Sequence, residues 1–185
     1  SDFANGYEYF GLHRTDEGWV FREWAPHATD IYLVGDFSSW KEQETYRCRR
    51  IEGTDNWQLT LPADALSHGQ LYKMHVKWDG GEGERIPAWA NRVVQDEKTH
   101  IFSAQVWAPK APYRWVSKPL TPQTKPLLIY ECHIGMAQDE EKVGSYSEFR
   151  QQVLPRIVRD GYNAIQIMAI QEHPYYGSFG YHVSS

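Results

Sequence analysis

Between Tyr7 and Trp107 the chain is written in short runs of alternating apolar and polar residues, each closed by a turn signal. Gly18-Trp-Val-Phe-Arg-Glu-Trp24 alternates and is stopped by Ala25-Pro26. Asp30-Ile-Tyr-Leu-Val34 is stopped by Gly35-Asp36, Asn56-Trp-Gln-Leu-Thr-Leu61 by Pro62, and Gln70-Leu-Tyr-Lys-Met-His-Val-Lys-Trp78 by Asp79-Gly80-Gly81. A period of two sends successive side chains to opposite faces, so each run buries one face only. Strands at this spacing, with Gly, Pro and Asp between them, predict an immunoglobulin-like β-sandwich.

The texture then changes. Pro109, Pro112, Pro119, Pro122 and Pro126 mark an extended, connecting stretch. The expected organisation is therefore a sandwich over 1–108, a proline-rich linker over 109–126, and a second segment over 127–185. That segment opens with a short apolar strand, Leu127-Leu-Ile-Tyr-Glu-Cys-His133. Ser145 and Glu148 have capping-box spacing, and Phe149, Val153, Leu154, Ile157 and Val158 follow with helical periodicity. Pro155 sits awkwardly in that helix: it either kinks it or begins a second segment. Asp160-Gly161 supplies a stop, and the apolar run Ala164–Ile170 reads as a second strand. Strand, helix, strand predicts a right-handed parallel βαβ unit. One such unit cannot bury both faces of its strands, so the rest of an α/β domain is expected outside this chain.

Composition narrows the partners. Acids and bases are interspersed around a net charge of −5, which argues against nucleic acid and anionic membranes. No apolar run approaches the ~20 residues that span a bilayer. Ser1-Asp-Phe-Ala-Asn lacks the basic and apolar regions of a signal peptide, and two distant cysteines, Cys48 and Cys132, suit a reducing, cytoplasmic setting. A metal site is not expected: Cys132 and His133 are adjacent on a strand and point to opposite faces, and no second pair has zinc spacing. The aromatic content, 15% with 8 Trp and 12 Tyr, is high. Rings fill sandwich cores first; the other reading is stacking on the apolar faces of sugars.

Several motifs, in order, resemble one family. Phe21-Arg-Glu-Trp-Ala-Pro26 and Gly35-Asp-Phe-Ser-Ser-Trp40 resemble the carbohydrate-binding β-sandwich of glycogen and starch branching enzymes, and Arg85-Ile-Pro-Ala-Trp-Ala-Asn-Arg-Val-Val94 resembles the segment after that module's core strands. Ile129-Tyr-Glu-Cys-His-Ile-Gly-Met136 is similar to the family's first barrel strand and loop. Val153-Leu-Pro-Arg-Ile157 with Gly161–His173 is similar to its first helix and second strand, and Ser178-Phe-Gly-Tyr-His182 to the next loop. The pattern is closest to the eukaryotic type. The resemblance implies an all-β module followed by the first βαβ part of a (β/α)8 TIM barrel. It implies a parent enzyme that cuts α-1,4 linkages and rebuilds them as α-1,6 branches, with no metal or organic cofactor. Retaining chemistry of this kind needs two carboxyls about 5–5.5 Å apart. The family's catalytic carboxylates come from later strands, so no catalytic residue is expected in this chain, which alone should bind α-glucan at most. Two other readings stay open: a non-catalytic α-glucan-binding module, and part of a debranching glycoside hydrolase.

The resemblance points to Tyr181 as a ring beneath the sugar at the cleavage point, with His173 and His182 at the same mouth. In the sandwich it points to Trp24 and Pro26 as glucan contacts, and more weakly to Trp40, which also serves to pin its loop. Trp57 falls where burial is the default. Lys73 and Arg22 could hydrogen-bond sugar hydroxyls, though a solvated strand face is the ordinary reading for both. Glu131 and Glu172, at the ends of the two strands, sit where barrel enzymes carry catalytic groups; bracing of strand ends is the better reading. A partial barrel should leave apolar surface on Ile129, Ile165 and Ile167. Either the sandwich stabilises it or the chain oligomerises to cover it.

Overall fold

A computed structural model describes residues 4–111, 113–118, 126–173 and 175–183. The chain divides into two units near residue 112. Among the described residues no helix is long and apolar enough to cross a membrane.

The first unit begins with a helical turn, α1 (Gly6–Tyr9), where the sequence led us to expect a strand. Nine strands follow. One antiparallel sheet has the order β1 (Gly11–Thr15), β2 (Gly18–Trp24), β5 (Asn56–Leu61), β4 (Arg49–Arg50). The other has the order β3 (Ala28–Gly35), β6 (Leu71–Trp78), β9 (Phe102–Gln105), β8 (Val93–Gln95), with β7 (Gly81–Arg85) also paired to β6. Trp19 and Phe21 of β2 and Trp57, Leu59 and Leu61 of β5 share one core with Ile31 and Leu33 of β3 and Tyr72 and Met74 of β6. The two inner faces therefore close a β-sandwich, as the alternation predicts. Strand parity carries through: Trp19 and Phe21 are buried while Trp24 is 60% exposed.

Parity also buries Glu23, which the sequence did not single out. Its Oε1 accepts from the Trp24 amide (3.2 Å) and its Oε2 from the Ala88 amide (3.0 Å), tying β2 to the segment after β7. Burial pushes its carboxyl above the usual carboxylate range, against the pull of those two amides.

In the second unit β10 (Ile129–Cys132) and β11 (Ala164–Ile167) pair in parallel, with Ile129 opposite Ala164 and Cys132 opposite Ile167. Asn163 buttresses the entry: its Oδ1 accepts from the Leu128 amide (2.8 Å) and its Nδ2 donates to the Pro126 carbonyl (3.0 Å). The crossover helix starts at the expected capping box. The Glu148 amide donates to Ser145 Oγ (3.2 Å), and the Ser145 amide donates to Glu148 Oε2 (2.8 Å). The helix then runs through α2 (Tyr146–Glu148), a π-helical stretch Phe149–Val153 and α3 (Leu154–Arg159). Of the two outcomes expected for Pro155, a kink or a second segment, the structure shows the second: α3 begins at Leu154, and its first turn holds Pro155. The proline ring removes one donor and crowds the preceding turn, and the chain answers by widening that turn, with Leu154 N–H reaching the Phe149 carbonyl. Gly161 ends the helix in the left-handed conformation, φ +94°.

Strand β11 is shorter than the apolar run suggests. It stops at Ile167, and Ala169 turns to φ +51°. Part of the expected connector, Pro112 and 119–125, lies outside the described residues.

Candidate functional site

The loop from Gly35 to Trp40 is built to hold a ring still. A Cβ on Gly35 would meet the Leu71 carbonyl oxygen at 2.3 Å and Tyr72 Cβ at 2.9 Å, so β3 and β6 approach as closely as they do only because this residue has no side chain. Ser38, buried, accepts from the Gly35 amide (3.0 Å) and donates to the Gly35 carbonyl (3.2 Å). Ser39 and Trp40 then take consecutive left-handed conformations, φ 53° and 58°, a strain that the surrounding bonds must hold. The Trp40 indole N–H donates to Asp36 Oδ1 (3.1 Å), and Asp36 Oδ2 accepts from the Leu71 amide (2.7 Å). One carboxylate thus fixes both the ring and the start of β6. The ring remains 39% exposed.

Trp40 walls an open cleft of about 310 Å³ on the second sheet. Leu71 and Lys73 of β6 and Val94 of β8 line it, with Thr99, Ile101 and Ser103 from the β8–β9 hairpin. Lys73 is only 14% exposed and holds Glu84 at 2.8 Å, so an amine and a carboxylate neutralise each other at the rim. The hairpin is rigid. Asp96 Oδ1 accepts from the Thr99 amide (2.7 Å), the Thr99 hydroxyl (2.9 Å) and the Lys98 amide (3.0 Å). The Thr99 amide leads these bonds in holding the Asp96 carboxyl below the usual range. A flat ring, apolar Leu71 and Ile101, and balanced donors and acceptors suit a neutral polyhydroxyl ligand.

The sequence reading gave Lys73 two settings, a solvated face or a contact with sugar hydroxyls, and the structure puts it in this cleft. The hairpin residues Thr99 and Ile101 went unnoticed. No motif marks them; only the Asp96-x-x-Thr99 turn spacing hints that the loop is ordered.

Trp24 and Pro26 are not among the residues lining that cleft. They sit at the end of β2 in the other sheet, where Arg50 Nη2 donates to the Pro26 carbonyl (3.2 Å) and the buried Trp57 indole donates to the Ala25 carbonyl (3.0 Å). The Trp-Ala-Pro backbone is thereby held from beneath, with the Trp24 ring turned out.

In the second unit Tyr181 is 63% exposed and its hydroxyl lies 3.6 Å from Met168 Sδ. His173 is half-buried, with Nδ1 at 3.0 Å from the Gln171 carbonyl, and His182 is exposed. Among the described residues no hydrogen bond links these three. Glu131 and Glu172 are exposed. Another hollow here, about 470 Å³, is lined by Tyr130, Met136, Asp139, Glu140, Arg156 and Asp160.

One cluster has metal-ligand composition: Glu42, His75 and Glu82 bring ligand atoms within 4.8 Å. His75 Nδ1 lies 2.7 Å from Glu42, its Nε2 3.8 Å from Glu82, and Lys77 Nζ 2.8 Å from Glu42. A lysine ammonium already neutralises the best carboxylate, so the group is an ion-pair network on the β6–β7 surface.

The fold defines a class, a β-sandwich module followed in sequence by a parallel βαβ unit. Residues 9–90 match the family Carbohydrate-binding module 48 (Isoamylase N-terminal domain). Relatives extend the match beyond the module. The 1,4-alpha-glucan-branching enzyme of Yarrowia lipolytica is 41% identical over 100% of this chain and 28% of its own length. That of Dictyostelium discoideum is 39% identical over 99% of this chain and 27% of its own length. Over its whole length the chain is similar to 1,4-alpha-glucan-branching enzymes, and it spans about a quarter of the length of these curated relatives. Among solved structures, the type I pullulanase of Bacillus subtilis str. 168, complexed with maltose, superposes with a TM-score of 0.69. It is 19% identical, over 88% of this chain and 24% of that one, a likeness that shows the fold alone.

Proposed function

We propose that this chain is the glucan-holding front of an enzyme that moves α-1,4-glucan segments into α-1,6 branches. In this reading the first unit anchors the polymer, and the parallel β10–helix–β11 unit opens a (β/α)8 barrel whose later strands supply the chemistry. The observation that carries it is Trp40, an exposed ring fixed by Asp36 at the wall of a cleft with neutralised polar groups. The 39–41% identity of the first relatives supports branching over debranching. Glu131 and Glu172 take no catalytic part. Trp24 and Pro26 form a second, shallower contact for the same polymer. Tyr181, with His173 and His182, faces the sugar from the barrel side.

The exposed Ile129 and Ile165, 50% and 37% open, lie on opposite faces of the β10–β11 pair, for further barrel elements, or for a second copy, to cover. Two buried free thiols, Cys48 and Cys132, support a reducing compartment such as the cytoplasm.

Calorimetric titration of the chain with maltoheptaose tests the reading. Saturable binding is expected, weakened by Trp40→Ala. A folded chain that binds neither maltoheptaose nor glycogen would make the module a packing partner only.

A further inference from the structure

The cleft beside Trp40 does not end at its own far wall. A second open hollow, of about 690 Å³, shares Leu71, Val94 and Asp96 with it and runs on to Asp36, Arg92 and Gln105. We propose that the two are one trough, and that the first unit grips an internal run of several glucosyl residues rather than a chain end or a disaccharide. This rests on the reading of the cleft as a glucan site.

Three observations carry the extension. The shared residues make a continuous floor: Leu71 on β6 and Val94 on β8 are apolar and line both hollows. The junction is rigid, because Asp36 bonds to both the Trp40 indole and the Leu71 amide. The far end is pre-organised for hydroxyls. Arg92 lies over the Trp107 ring at 4.6 Å and donates from Nε to Gln105 Oε1 (2.8 Å), while Gln105 Nε2 donates to the Gly69 carbonyl (3.0 Å). Among the described residues nothing takes the Arg92 Nη hydrogens. A planar fork locked in this way donates to neighbouring hydroxyls with little further loss of freedom. A cleft of 310 Å³ is at the small end for an organic ligand, and the second hollow more than doubles it. Neither hollow is enclosed, so nothing caps a chain terminus.

The test is a chain-length series, maltose to maltoheptaose, titrated into the whole chain by calorimetry. Maltoheptaose is expected to bind about tenfold more tightly than maltotriose, the gain of one or two extra hydrogen-bonded sugars. Arg92→Ala should erase most of that gain, weakening maltoheptaose several times more than maltotriose. Arg92→Lys keeps the charge and the stem over Trp107 but loses the fork, so it should give the same pattern in a chain of unchanged stability. Trp40→Ala should weaken both ligands. Equal affinities for the two lengths, or an Arg92→Ala chain with the full gain, would overturn the trough and leave the cleft standing. No binding of either ligand would overturn the cleft reading and the trough with it.

Discussion

Replacing Trp40 by alanine should cost glucan affinity without unfolding the module. The ring is 39% exposed. Taking ~250 Å² for a whole tryptophan leaves ~100 Å² open to a ligand. At ~25 cal/mol per Å², covering all of it is worth ~2.5 kcal/mol, and covering one face about half as much. Affinity for maltoheptaose should therefore fall between about 7-fold and about 60-fold. The fold should survive, because the indole makes one partly exposed hydrogen bond to Asp36, worth ~1 kcal/mol, and is not part of the core cluster. Trp40→Phe keeps a ring but frees Asp36, so its affinity should fall between the two. Calorimetry gives the affinities, and urea unfolding of each variant shows whether the module is intact. A folded Trp40→Ala chain that binds maltoheptaose within twofold of the parent would refute the assignment of the cleft.

Four further outcomes follow from other residues. Trp24→Ala should leave the maltoheptaose affinity within twofold while reducing retention on glycogen, since it removes a second contact and hence avidity; co-sedimentation with glycogen reads this. Gly35→Ala should destabilise the first unit by ~2–3 kcal/mol in urea unfolding, because its Cβ would strike the Leu71 carbonyl oxygen at 2.3 Å, a backbone atom that moves only if β3 and β6 part. Glu23→Ala should cost ~1–3 kcal/mol by the same assay, since two backbone amides lose their acceptor. Glu148 is pulled down to about 2, first by the Lys142 ammonium and then by Ser145. A depressed carboxylate stabilises above its ordinary value near ~4.3 and loses that contribution as pH falls towards about 2. Amide protection across 146–159, corrected for the intrinsic pH dependence of exchange, should therefore fall over that window, and Glu148→Gln should flatten the response.

Elements whose side chains alternate strictly were readable from the chain. The parity of β2 put Trp19 and Phe21 inside and Trp24 outside, and the same rule put Trp57 inside. Features set by pairing between distant strands were not. The cleft exists because Leu71 of β6 pairs with Gln105 of β9, a register that carries the Thr99–Ser103 segment alongside Trp40 and Lys73, and no local pattern announces that register. Pro155 left two outcomes open, and the structure takes the second, a new helical segment opening at Leu154 after a widened turn. The stretch just past Ala164–Ile167 looked like more strand because Met168, Ala169 and Ile170 are apolar. Gly180 packs on Ala169, 2.7 Å from its carbonyl to an added Cβ, so those residues serve the returning loop.

Exposure alone would not have found the site. Trp24, Trp40, Trp89, Trp107 and Trp115 are all at least 39% open. Their surroundings separate them. Trp107 is already engaged by Arg92 over its ring at 4.6 Å and by His68 edge-on at 4.8 Å, and Trp89 stacks on Phe10 at 6.1 Å. Trp115 meets Tyr113 edge-on and is 84% exposed, with little to hold a ligand against it. Trp40 combines an open face, an orientation fixed by a carboxylate that also anchors the adjoining strand, and a cleft whose one amine is paired with a carboxylate. A sugar gains little from a ring that must first be ordered and little from a ring without hydrogen-bonding neighbours. The tryptophan that escapes both penalties is the one at the end of the Gly35–Trp40 loop, and the strain at Ser39 and Trp40 is the conformational cost of presenting it.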